Sequence, residues 1–461
     1  MEPYQRLTLF FFTLSFSVFS QDHKAFKIRN EFEIQGDITI IGNQILSQKS
    51  KKATVFSPYN DVSEQAKIND QLKMYYVDID ENEDTFSSSS ANLILPENSQ
   101  IAYAGLYWSA IYPYTLGEHK SGNKFKILDK ERLSPENILL KIPSKDEYIP
   151  IQGSILADTY NSKNELLKEK GGYLAYSDVT QIIKSQKQLS GTYFVANVLA
   201  ANGEVYGGTC GGWVLVVVFE NEAHSVKKII TQDGFVYGST SISYDFSGKE
   251  NKDIRVLGAA LEGDRNIPND KMIAHLPQNN ISFPLKTDIR KENDFFNSTI
   301  TKNNQHIEER APNSLNTLGF DLYDIDLSKE IIAKDVGFIT FKVISVADKA
   351  FQFFNAVCVE LTETKTTENE LTNNNITIEQ SLLQNTNQLF YNIVGVFKNK
   401  HYAINFVNDL AKEKIIAKYW LDEQNNLYYI YTQQSQSEQE AQRERNILNE
   451  QKKIKNWIRI K

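Results

Sequence analysis

Oxygen-bearing side chains alternate along one short segment, at Asp78, Asp80, Asn82 and Asp84. Alternation of this kind supplies the first half of a calcium loop, so calcium is the one cofactor the sequence offers. An EF-hand would need glycine at Glu83 and glutamate at Ser89, so any calcium site is of another kind, completed by a backbone carbonyl. A solvated acidic turn is the favoured reading. Glu262-Gly263-Asp264 with Asp270 forms a second acidic group. The run Gly207-Gly208-Thr209-Cys210-Gly211-Gly212 leads into a strand-like stretch, and no lysine follows it as in a phosphate-binding loop. A tight bend or bulge is the expectation there. Cys210 could serve as a nucleophile beside a distant histidine, but a small residue in a bend is the favoured reading. The histidines, His23, His119, His224, His275, His306 and His401, have no metal-ligand spacing. Glu262 and Asp264 would act as glycosidase carboxylates only at a set separation about the substrate. The expectation is a protein that is not an enzyme.

Near the carboxyl end the useful chemistry is aromatic. Leu389 to Phe397 reads as an apolar strand, and Ala403, Phe406, Val407, Leu410 and Ala411 follow at helical spacing. Ile416 to Leu421 and Leu427 to Thr432 read as strands about a turn at Asp422 to Asn426. Ser437 and Glu440 have capping-box spacing and open a polar helix to about Lys453, before a last strand at Trp457 to Ile460. The order β-α-β-β-α-β is that of a small ferredoxin-like α+β domain. Strand alternation puts Val394, Ile430 and Thr432 toward the helices and Ile393, Gly395, Tyr429 and Tyr431 on the open face. Tyrosine rings there could lie against pyranose C–H groups while their hydroxyls bond sugar oxygens. Gly395 would let a ligand approach the backbone.

Residues 21–362 carry short apolar runs bounded by Gly, Asn, Asp and Pro, such as Ile38 to Ile41, Ile101 to Trp108, Tyr193 to Leu199, Trp213 to Phe219, Ile254 to Ala260 and Phe338 to Val346. Rich in Val, Ile, Phe and Tyr, they predict a large all-β, sandwich-like domain. One short helix is expected around Val179 to Lys187, opened by Ser177 and Asp178. Residues 363–387, rich in Asn, Thr and Gln, read as a linker, and 388–461 as the small domain.

The segment Tyr391 to Phe397, the helix bearing Ala403, Phe406 and Leu410, the strand Leu427 to Tyr431 and the terminal Trp457-Ile458 resemble a SPOR domain. That family binds peptidoglycan and prefers glycan strands stripped of stem peptides. The resemblance implies that Ile393, Gly395, Tyr429 and Tyr431 form its glycan-contacting face. Ile393 stands where the family often has glutamine, and Gln433 where it often has glycine. Gly36 to Asn43, Tyr76 to Asp80, Tyr103 to Trp108, Gly211 to Trp213, Asp233 to Phe235, Glu262 to Asp264 and Asn316 to Gly319 resemble an N-terminal module of secreted, gliding-associated surface proteins of Bacteroidetes-type bacteria. In those proteins adhesin-like repeats usually follow it.

Arg6, the apolar run Leu7 to Phe19 and the sequence Val18-Phe19-Ser20 before Gln21 read as a cleaved signal peptide, residues 1–20, too short for a bilayer span. No later segment is expected to cross a membrane as a helix. A net charge of −8 argues against a nucleic-acid partner. Cys210 and Cys358 are too far apart in sequence for a metal motif, and export leaves both a bond between them and two free thiols open. The leading expectation is a non-catalytic protein of the periplasm or cell envelope. Its tail would hold peptidoglycan glycan strands, and its β domain would present a surface to envelope or surface proteins. A surface adhesin whose tail contacts another envelope protein, and a glycan-acting enzyme with a targeting domain, are the alternatives.

Overall fold

A computed structural model describes residues 24–48; residues 68–361 apart from 81, 123, 247–250, 334–335 and 347–348; and, in the C-terminal part, 390–412, 415, 417–422, 427–435, 445, 448 and 456–460. The expected signal peptide, residues 1–20, and the expected linker, residues 363–387, lie outside the described residues. The chain divides into two compact units, Met1–Glu363 and Thr364–Lys461.

The first unit is β throughout, with only short helices. Its long first strand, Lys24–Gln44, organises the rest. Residues Lys24 to Gln35 pair with Val226–Tyr237, whereas Gly36 to Gln44 pair with Gly211–Glu220. Gly36 marks the change of partner; a Cβ there would lie 2.0 Å from the Phe219 carbonyl oxygen. On the Gly36 to Gln44 side lie Gly211–Glu220, Gln100–Ile111, Gly172–Asp178 and Ser154–Asp158. On the other lie Val226–Tyr237, Phe351–Leu361, Asn251–Gly263 and Gly319–Asp326, then two short strands.

Alternation along these strands divides the core. Val214, Val216 and Val218 join Ile38, Ile40, Leu257, Ala259 and Phe354 in one cluster that draws on both halves of the sheet. Their neighbours Trp213, Leu215, Val217 and Phe219 pack instead with Leu93, Leu140, Ile151 and Val195 of a five-stranded sheet. On the far side, Ile254, Val256 and Ala260 pack with Ile242, Met272, Ala274 and Phe341 of a four-stranded sheet. Strands buried on both faces read as continuous apolar runs, which is why Trp213 to Phe219 lacks polar alternation. The expected sandwich is thus a stack of sheets with three cores. All six predicted apolar runs overlap strands of this unit. The helix expected at Val179 is Thr180–Lys184, and the Asp178 carboxylate accepts the Thr180 N–H at 2.9 Å.

The second unit has four antiparallel strands in the order Lys418–Asp422, Leu427–Ser435, Phe390–Phe397, Trp457–Ile460. The helix Lys400–Lys412 covers one face through Ala403 and Leu410, which pack on Val394 and Ile430. Arg445 and Leu448 are helical, and Leu448 joins that core. The rest of the predicted polar helix lies outside the described residues.

Candidate functional site

On the sheet face away from the helix, Tyr391, Ile393 and Tyr429 form a second cluster with Val396, Trp420 and Tyr431 against it. Trp420 and Tyr429 are register partners on neighbouring strands, which brings their rings together. They stack with centroids 5.4 Å apart and planes 13° apart. The Arg459 guanidinium lies 4.0 Å from the Tyr429 ring centroid, a cation–π contact. Arg459 Nη2 donates to Asp422 Oδ2 at 2.5 Å, which fixes the guanidinium in place. Trp420 and Arg459 thus both contact the Tyr429 ring, from strands on either side of Leu427–Ser435. Tyr391 stands edge-on to Tyr431 at 5.0 Å and tilted against Trp420 at 4.5 Å.

The face expected from alternation therefore assembles in part. Ile393, Tyr429 and Tyr431 share it, but Ile393 is fully buried and Tyr429 only 7% exposed. Tyr431 and Trp420 are half-buried and offer the accessible ring surface. Gly395 does not belong there. A register shift between Ile393 and Gly395 sets two residues of one strand against a single step of its partner. A Cβ at Gly395 would lie 2.9 Å from Phe406 Cε1, toward the covering helix. Such a bulge re-aims every later side chain, and period-two reading cannot foresee it. Val396 takes the open-face position instead. Sequence alternation alone does not assign Trp420, Tyr391 and Arg459 to this surface. The strand pairing of Trp420 with Tyr429 was the available signal.

The acidic segment in the first unit spends its oxygens internally. Asp80 Oδ1 accepts from the Asn82 N–H at 3.2 Å and from Thr85 Oγ1 at 3.0 Å, and Asp80 Oδ2 accepts from the Tyr148 hydroxyl. Asp78 Oδ1 accepts from Ser88 Oγ at 2.8 Å, and Asn82 Oδ1 accepts from the Asp84 N–H at 3.0 Å. These bonds make an acidic turn. Among the described residues no group of three or more His, Cys, Asp or Glu is placed to hold a metal ion. Asp78, Asp80, Asn82 and Asp84 thus lie in the acidic turn that the sequence favoured, with Tyr148 bonded to it from outside. The second acidic group also disperses. Glu262 faces Lys170, whereas Asp270 Oδ1 accepts the N–H groups of Phe295 and Phe296 at 2.6 and 3.0 Å.

Gly207 and Gly208 have φ of +68° and +81°, so the glycine run makes the expected bend before the strand Gly211–Glu220. Both cysteines are free and buried. Burial pushes the Cys210 thiol well above its ordinary pKa, and Glu262 adds to the rise. A thiol held protonated is a poor nucleophile.

No family description matches the chain, and no characterised protein matches it in sequence. Two solved structures align over much of its length at very low similarity. The STIV MCP is 8% identical, with 70% of this chain and 97% of that one covered and a TM-score of 0.17. A protein of Parabacteroides distasonis ATCC 8503 thought to be secreted is 10% identical, with 72% and 93% covered and a TM-score of 0.13. Neither likeness is close enough to argue from. No described helix is long and apolar enough to cross a membrane.

Proposed function

We propose that this is an exported, non-catalytic envelope protein whose C-terminal unit, a split βαββαβ domain of SPOR type, binds peptidoglycan glycan strands. The observation that carries the reading is the aromatic surface opposite the helix. Trp420 and Tyr431 supply half-buried rings, and Tyr429, in contact with Trp420 and Arg459, backs them. A ring surface braced in this way loses little conformational freedom on meeting a flat sugar face. The large unit would present its own surface to envelope or surface proteins. Exposed Ile127, Tyr160 and Tyr206, about a groove that also includes Tyr114 and Phe125, support that part of the reading.

Retention on purified sacculi freed of stem peptides is the test. The mature wild-type chain is expected to sediment with them. A Trp420→Ala/Tyr431→Ala double variant is expected to bind about tenfold or more weakly, which corresponds to about 1.4 kcal/mol. Equal retention of the two, or retention of neither, removes the glycan reading. Protease added to intact cells would cleave the large unit if it is displayed as an adhesin instead.

A further inference from the structure

A largely buried polar group at one end of the large sheet has no part in the reading above. Glu262, only 4% exposed, ends the strand Asn251–Gly263 with φ at +64°, a conformation that side chains other than glycine seldom adopt. Its carboxylate collects three side chains. Lys170 Nζ, at the end of the helix Glu165–Lys170, donates to Oε2 and also to the Gly207 carbonyl. Asn69 Nδ2 donates to Oε1 at 3.1 Å, and the Cys210 thiol donates to the same oxygen at 3.1 Å. Asn69 is 1% exposed, and its Oδ1 has no hydrogen-bond partner. Consecutive glycines back the two nitrogen-bearing side chains. A Cβ at Gly207 would lie 3.0 Å from Lys170 Nζ, and one at Gly208 would lie 2.1 Å from Asn69 Oδ1. An amine, a carboxamide and a bridging carboxylate are thus held together, the last two buried and the Lys170 side chain 13% exposed.

We propose that this group is the site of an autocatalytic isopeptide bond between Lys170 and Asn69, with Glu262 as the proton shuttle. The ion pair holds Lys170 charged, so its proton first crosses to Glu262 Oε2. Reduced solvation in the closed site lowers the cost of the neutral amine–acid pair relative to water. The free Nζ then attacks Asn69 Cγ. The new Nζ–Cγ bond forms and the Cγ–Nδ2 bond breaks. Of the three ammonium protons, one stays on the new amide nitrogen. Two pass through Glu262 to Nδ2, which departs as ammonium. The carboxylate is regenerated, and nothing is oxidised or reduced. Holding the reactants in place converts a reaction negligible between free side chains into a first-order one. The product staples the helix Glu165–Lys170 to the turn Asn69–Gln71.

Intact-mass spectrometry of the purified full chain, with its N-terminus read by fragmentation in the same experiment, decides the matter. The expected mass is lower than the sequence mass by one ammonia, and a digest is expected to contain one branched peptide joining Lys170 to Asn69. Lys170→Arg keeps the ion pair but lacks the amine, so it should show its full sequence mass and melt at a lower temperature. Glu262→Gln should show the same full mass if it folds; the wild-type mass decides the question even if it does not. A wild-type chain at full sequence mass overturns the proposal. So does a chain heavier by one oxygen and lighter by two hydrogens, which would instead mean an oxidative link from Lys170 to Cys210.

Discussion

Buried charge sets the pH behaviour of individual residues in the large unit. Asp270 is fully buried, and its pKa is pushed up to about 8, first by burial, against which its two backbone N–H bonds are insufficient, and further by Asp321 and Asp294. A carboxyl whose folded pKa lies above its unfolded value of 3.8 stabilises the fold fully below the unfolded value. That contribution is lost as pH rises through the folded value. Asp294, raised to about 6 chiefly by burial, acts in the same direction. The melting temperature of the large unit should therefore fall between about pH 5 and about pH 8, and Asp270→Asn should flatten that slope in a thermal-melt series. An unchanged slope would mean that Asp270 is ionised in the folded protein throughout. Asp37 has the opposite sign: burial raises its pKa, but Arg255 and Lys227 outweigh burial and leave it below the ordinary value. Its stabilisation is present above its unfolded pKa and lost in acid, so it shapes a separate limb. Arg290 and Asp321, both fully buried, pair at 2.8 Å. Three loop N–H groups, of Asn297, Ser298 and Thr299, add to Asp321, so the pair is fully satisfied rather than stranded.

At the scale of elements, the strand Phe390–Phe397 shows how far pattern carries. Its existence, its neighbours and the helix after it were legible because apolar spacing changes from period two to period 3.6 along Leu389 to Leu410. The face of Gly395 was not legible, because the bulge depends on how Phe390–Phe397 pairs with Leu427–Ser435. A glycine beneath Phe406 has a packing role. Gly395→Ala should lower the melting temperature of the C-terminal unit, with an overpacking cost of about 1–3 kcal/mol, and leave sacculus retention at fixed folded concentration unchanged. Lost retention without loss of stability would restore Gly395 to the ligand surface. The acidic turn at Asp78 to Asp84 makes the same point. Alternating oxygens were visible, but hydroxyls of Thr85, Ser88 and Tyr148 claim them, and Tyr148 comes from a distant part of the chain.

Across the whole molecule, the two units keep separate cores. Trp213 and its neighbours fill one in the large unit, and Ile430, Leu410 and Leu448 fill one in the small unit. Calorimetry should resolve two transitions. Trp213→Ala should depress the one belonging to the large unit by about 3–5 kcal/mol, and Ile430→Ala the other by about 2–5 kcal/mol. A single transition shifted by both variants would mean that the units unfold as one.

Composition and periodicity by themselves determined a large β region, a short helix at Asp178 and a small β-α-β-β unit at the carboxyl end, because burying a strand or helix face imposes a local repeat on the chain. Tertiary structure alone decided that the large region stacks sheets about three cores, that a bulge turns Gly395 away from the aromatic surface, and that Lys170, Asn69, Cys210 and Glu262 meet. Those residues stand far apart in sequence, and no local repeat encodes which distant strands become neighbours; that depends on register and on which faces pack together.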